Sequence, residues 1–106
     1  MAEINWAAPA LDDLNAIAEY IALDKPGAAS DLVRRVVAHV EMLEMHPKMG
    51  PRIPELRPSG RYRQLVEPPR RVFYRYDRSA DVCHILHVMR GQQLFQKHLL
   101  FLRDAP

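Results

Sequence analysis

Between positions 61 and 90 the chain reads RYRQLV, EPP, RRVFYRYD, RSA, DVCHILHVMR: three strand-like runs parted by two short breaks. In the second run Val72, Tyr74 and Tyr76 alternate with Arg71, Phe73, Arg75 and Asp77. That period of two predicts a strand with two different faces. The third run, residues 82–89, is apolar at nearly every position other than His84 and His87, as in a central strand covered on both sides. The breaks Pro68-Pro69 and Arg78-Ser79-Ala80 are short enough for an antiparallel meander. Residues 3–6 supply one more short strand, expected to extend the same sheet.

The first half of the chain follows a different period. Leu11, Leu14, Ile17, Ala18 and Ile21 lie on one stripe, which predicts an amphipathic helix over residues 9–23. Pro9 opens it, where a missing N–H costs nothing, and Asp12 and Asp13 are expected in the first turn, near the positive end of the dipole. After the break at Asp24-Lys25-Pro26-Gly27, Ala29, Leu32, Val33, Val36, Val37, Val40 and Leu43 repeat at helical spacing. His46-Pro47 ends that helix, since a residue before proline avoids the helical region. So short a connection predicts an antiparallel helical hairpin lying on one face of the sheet. Residues 48–59, with Gly50, Pro51, Pro54 and Pro58, read as a loop. Past Gly91 the chain ends in a helix or tail. Leu94, Phe95, Leu99 and Leu102 fit its inner stripe, which leaves Leu100 and Phe101 facing outward as candidate contacts for a partner; the alternative is an irregular tail that buries both. The predicted fold is α+β: an N-terminal strand, the hairpin, an antiparallel sheet of three to four strands, and the terminal helix or tail. One domain spanning residues 1–106 is expected.

Charge sharpens this picture. The net charge of +2 hides an acidic first half and a basic middle. Residues 1–51 carry four basic side chains against eight acidic, whereas residues 52–90 carry nine against four, and all nine are arginine. Arginine suits a carboxylate or phosphate that must be met by a planar donor fork. Arg61, Arg63, Arg70, Arg71, Arg75 and Arg90 therefore make the sheet a candidate binding surface for an anionic partner, either nucleic acid or an acidic protein segment. The competing reading is a solvated face laced with local salt bridges. No apolar run is long enough for a membrane span, and the opening residues lack the basic start of a secretory signal. A lone Cys83 inside a strand run reads as a small buried hydrophobe. These features point to the cytoplasm.

Catalytic and metal signatures are sparse. There is no paired-cysteine spacing, phosphate-cradling glycine loop or nucleophile elbow, so neither a metal nor a cofactor is expected. His84 and His87, three apart on a strand, are expected on opposite faces. His39 and His46 have no evident partner. RNA cleavage without a metal would need a base, an acid and cations around the scissile phosphate, and the spacing singles out no such set.

The ordered set Trp6-Ala7, Ala10, Asp13-Leu14, Ile17, Tyr20-Ile21, Ala28-Ala29, Leu43, Pro47, Gly50, Glu55-Leu56, Arg63, Leu65, Arg71-Val72-Phe73-Tyr74-Arg75, Ile85 and Val88-Met89-Arg90 resembles the RelE/ParE superfamily of type II toxins. Pro47-x-x-Gly50, then Glu55-Leu56 and the Tyr74-Arg75 strand, resemble its ParE-type, plasmid-stabilisation branch. The resemblance implies a growth-inhibiting toxin held inactive by a cognate acidic, ParD-like antitoxin. It further implies inhibition of DNA gyrase by binding, and the possibility of a homodimer within the antitoxin complex. The RelE branch, the alternative, cleaves messenger RNA in the ribosome; on that reading Arg63, Arg75, His84 and His87 would carry the reaction. The chain departs from the nuclease pattern. Lysine is nearly absent from the strand runs, no tyrosine follows Tyr76, and the last strand leads into Arg90-Gly91-Gln92-Gln93. A binding toxin is the expectation.

Overall fold

The computed structural model describes residues 1–58, 60–91 and 94–104, and the elements run β1 (Glu3–Trp6), α1 (Ala8–Ala22), α2 (Pro26–Glu41), a short 3-10 helix (Met42–Glu44), β2 (Tyr62–Glu67), β3 (Arg70–Asp77), β4 (Val82–Met89) and α3 (Lys97–Arg103). Neither helix of the hairpin has a side-chain cap at its N-terminus. Both open with a proline in the first turn, and packing does the rest. Ala10, Leu14 and Ile17 of α1 and Ala29, Leu32, Val36 and Val40 of α2 are buried at helical spacing. Leu43 continues that stripe through the 3-10 turn. No helix among the described residues is long and apolar enough to cross a membrane.

The four strands form one sheet in the order β1-β4-β3-β2. The meander β2-β3-β4 is antiparallel, as its short turns require. β1 departs from the expected all-antiparallel sheet: it runs parallel to β4, Glu3 opposite Val82 through Trp6 opposite Ile85. The hairpin between them is long enough to carry the chain back across the sheet, which a parallel neighbour demands.

Two apolar layers sandwich the sheet. Leu65, Val72, Tyr74, Cys83, Ile85 and Val88 pack against α1 and α2. On the opposite side Tyr62, Phe73, Leu86 and Met89 meet Ile53, Leu56 and Leu100. The second layer corrects the expectation that this side of β3 is an open cationic surface. Ile53 and Leu56 of the loop and Leu100 of the C-terminal segment lie over it, and Phe73 is fully buried. β4, central and covered on both faces, matches its run of apolar residues.

The C-terminal segment is the clearest departure. Leu100 was expected outward; it is 0% exposed, while Leu94 and Leu102 of the expected inner stripe are 83% and 69% exposed. α3 begins only at Lys97, so Leu94 is not on it. Helical spacing then aligns Leu100 with Arg103 and Asp104 on one side, and that side turns inward because both charged residues have partners there. Phe101, 45% exposed, does face outward as expected, leaning on the Tyr62 ring at 5.7 Å. Positions 92, 93, 105 and 106 of the expected tail, Gln92-Gln93 among them, and Ser59 of the expected loop lie outside the described residues.

Candidate functional site

The arginines of the sheet were singled out as a binding surface, yet most of them are spent inside the molecule. Arg71 clasps Glu55 with two contacts of 2.6 Å and also donates to the Gln64 side-chain carbonyl at 2.8 and 2.6 Å. The hydrogen bonds from Arg71 hold the Glu55 carboxyl below its ordinary range. Arg63 donates to the Gly50 carbonyl at 3.0 Å. Tyr74, fully buried, gives its hydroxyl proton to the Pro47 carbonyl at 2.9 Å and accepts the Gly50 N–H at 3.1 Å. A Cβ on Gly50 would lie 2.5 Å from the Gln64 carbonyl and 2.7 Å from the Tyr74 ring. Pro47-x-x-Gly50 and Glu55-Leu56 thus mark where residues 47–58 are pinned to the sheet: Leu56 sits in the second apolar layer, and Gln64 N–H bonds the Pro51 carbonyl at 2.9 Å along the β2 edge.

A second polar node closes the other end. β1 stops at Trp6, opposite Ile85, which leaves the last residues of β4 paired with β3 on one side and without a strand on the other. Asp13 of α1 accepts the Val88 N–H at 3.1 Å and Arg103 donates to the Leu86 carbonyl at 3.1 Å, so side chains complete the edge that backbone does not. Asp13 also receives Arg103 at 2.6 Å and faces the His87 Nδ1 at 2.7 Å. Burial pushes its carboxyl up, but the bonds from His87, Arg103 and the Val88 N–H outweigh that and hold it below its ordinary value. Asp13 lies beyond the first turn of α1, so its role is this junction rather than the expected complement to the dipole.

The histidines fall differently from the expectation of opposite faces. The β3–β4 register shifts between Phe73 and Tyr74: Tyr74 lies opposite Ile85 and Phe73 opposite His87, with Leu86 as the extra residue. Such a bulge reverses the alternation. His84, opposite Arg75, and His87, stacked on Phe73 at 5.8 Å, therefore share the face away from the hairpin. His39, without an evident partner in the sequence, meets Glu67 at 3.0 Å and ties α2 to β2. No cluster of metal-ligating side chains occurs among the described residues.

The structure brings Arg61, Arg75 and His84 together around a cleft of about 490 Å³, with Asn5, Arg103 and Asp104. Arg63 is excluded from it. It pairs opposite Tyr74, on the hairpin side of the sheet, so the four residues of the nuclease alternative do not converge. Arg70 flanks the start of β3, its Nε buried with no hydrogen-bond partner among the described residues, and Arg90 is exposed just past β4. Asn5, Tyr62, Arg103 and Asp104 were not singled out beforehand, and Asp13 was named only for the helix dipole and the resemblance. The available signal was Arg103-Asp104 at the end of a helical stripe, an acidic residue where the helix dipole disfavours one.

A helical hairpin on a small mixed sheet, with the loop of residues 47–58 pinned to it, defines a compact α+β protein. The sequence model of the ParE toxin of type II toxin–antitoxin systems, parDE, matches residues 4–95. The chain belongs to this ParE toxin family. Among solved structures it is similar to a chain of the chromosomal ParDE toxin–antitoxin system from P. aeruginosa, with a TM-score of 0.71 and 24% identity over 87% of this chain and 98% of that one. That likeness is one of fold. A comparison with curated proteins finds no match.

Proposed function

We propose that this ParE-family protein acts by binding rather than by cleaving RNA, that its target is DNA gyrase, and that an acidic ParD-like antitoxin neutralises it in the cytoplasm. One observation speaks for binding: of the residues the nuclease alternative would need, Arg75, His84 and His87 share one face of the sheet but the fourth does not. Arg63 stands on the wrong face to join them. Family membership and the ParDE origin of the structural relative support the antitoxin. A shallow, largely apolar cleft of about 570 Å³ between α1 and α2, lined by Ala18, Ala22, Ala29 and Val33 together with Glu19, Ser30 and Arg34, suits one face of an amphipathic segment that folds as it binds. Arg61, Arg90 and Phe101, exposed, are the contacts proposed for the antitoxin or the target. Leu100, buried in the second layer, is withdrawn from that set.

The experiment is expression in growing cells with and without a co-expressed acidic, ParD-like antitoxin, with mapping of messenger RNA ends. Growth arrest relieved by the partner, with intact messages, is the expected result. Glu replacements of Arg61 and Arg90 are expected to weaken the complex and reduce its salt dependence. Codon-phased cuts abolished by Arg75→Gln would overturn the binding reading in favour of the nuclease.

A further inference from the structure

We propose that the cleft beside α3 is a carboxylate-binding site for an acidic protein segment, and that the chain keeps it filled with its own Asp104. The Asp104 side chain is only 5% exposed. Both of its oxygens lie 2.9 Å from Arg75 Nε, the Tyr62 hydroxyl donates to Oδ2 at 2.9 Å, and Arg61 stands 3.6 Å away. Burial and the neighbouring Asp104 push the Tyr62 phenol up, so it remains a donor. Asp104 terminates α3, its N–H bonded to the Leu100 carbonyl at 3.0 Å. A carboxylate at that end opposes the helix dipole, so the donors in the cleft, not the helix, draw it in.

The donors are not exhausted by this occupant. Arg75 uses only Nε on Asp104, and its two Nη atoms make no hydrogen bond among the described residues. Asn5 Nδ2 donates to His84 Nδ1 at 3.1 Å, which places the ring proton on Nε2 as a further donor. Surplus donors beside a seated carboxylate fit a segment bearing neighbouring acidic side chains. Displacement of Asp104 is what such a segment would require. The inference stands whether or not gyrase is the target, because it concerns what Arg75 and Tyr62 hold in the cleft rather than what the protein inhibits.

The test compares labelled hexaglutamate binding, by fluorescence anisotropy, to the full chain, Asp104→Ala and Asp104→Ala/Arg75→Gln. If Asp104 occupies the site about nine-tenths of the time, Asp104→Ala binds about tenfold more tightly than the unaltered chain, and the double variant loses that gain. Saturating peptide is also expected to speed hydrogen exchange of the α3 amides in the unaltered chain. Equal affinity with and without Asp104, or a gain that survives loss of Arg75, overturns the proposal. So does tighter binding of hexathymidylate than of hexaglutamate. Should Asp104→Ala fail to fold, the exchange measurement decides: no peptide-dependent change in α3 overturns it.

Discussion

Tyr74→Phe removes one oxygen from the centre of the molecule. Its hydroxyl is bonded on both sides, donating to Pro47 at 2.9 Å and accepting from Gly50 at 3.1 Å, and the ring is fully buried. Each bond contributes about 0.5–1.5 kcal/mol net, and a buried N–H left unpaired costs about 1–3 kcal/mol. Gly50 is itself buried and packed too closely under Gln64 and Tyr74 to admit a larger residue. Its N–H therefore stays orphaned, and the expected loss is about 2–4 kcal/mol. For a chain of this size that lowers the melting midpoint by roughly 10–20 °C. Urea titration followed by tryptophan fluorescence and circular dichroism measures it. Tyr76→Phe, which loses only an exposed bond to Asp81, is the control and is expected to leave the midpoint nearly unmoved. A loss below about 0.5 kcal/mol for Tyr74→Phe, within the range of ordinary surface changes, would refute the claim that this hydroxyl pins residues 47–50 to the sheet.

Other consequences follow from the same contacts. Leu100→Ala is expected to cost about 2–4 kcal/mol as a core truncation, whereas Leu102→Ser costs little; equal effects in a denaturation series would place α3 wrongly. An Arg71/Glu55 double-mutant cycle is expected to give a coupling of about 0.5–1 kcal/mol, discounted because Glu55 is 43% exposed; zero coupling would remove the clasp from the account. Asp13 titrates below its ordinary 3.8 in the folded chain, so its stabilisation is fully present above that value and lost as the pH falls through the folded pKa. Asp13→Asn is therefore expected to flatten the acid limb of the stability–pH curve below about pH 4, and an unchanged limb would count against the junction. Burial pushes the Cys83 thiol up to about 11, so a thiol reagent at pH 8 is expected to label it only after unfolding.

The periodicities of Val72-Tyr74-Tyr76 and of Leu14, Ile17, Leu32, Val36 and Val40 carried the layers and the element order, because burial selects apolar residues at the spacing of each element. The parallel pairing of β1 was not legible. Four residues hold no information on strand direction, which depends on how the hairpin returns the chain. The arginine surface misread a side chain's reach as its destination: Arg71 and Arg75 do point away from the hairpin, but Glu55 lies 16 residues away and Asp104 29, beyond any local pattern. The bulge at Leu86 turned His87 onto the face of His84 without leaving a mark in the spacing. Leu100 was placed by assuming a helix in phase with Leu94, when Arg103 and Asp104, three and four residues beyond it, set the phase instead. Pro47 and Gly50 were legible only as a helix end and a loop, and Glu55 and Leu56 only through resemblance; their contacts now give each a physical reason.

Inhibition of purified DNA gyrase tests the central claim most directly. Relaxed plasmid, gyrase and ATP are incubated with increasing amounts of the protein, and supercoiled product is resolved by electrophoresis. The account predicts that supercoiling falls as the protein is added and recovers when the acidic partner is supplied in equal amount. Supercoiling untouched at every concentration, with codon-phased cuts in messenger RNA on translating ribosomes, would contradict it.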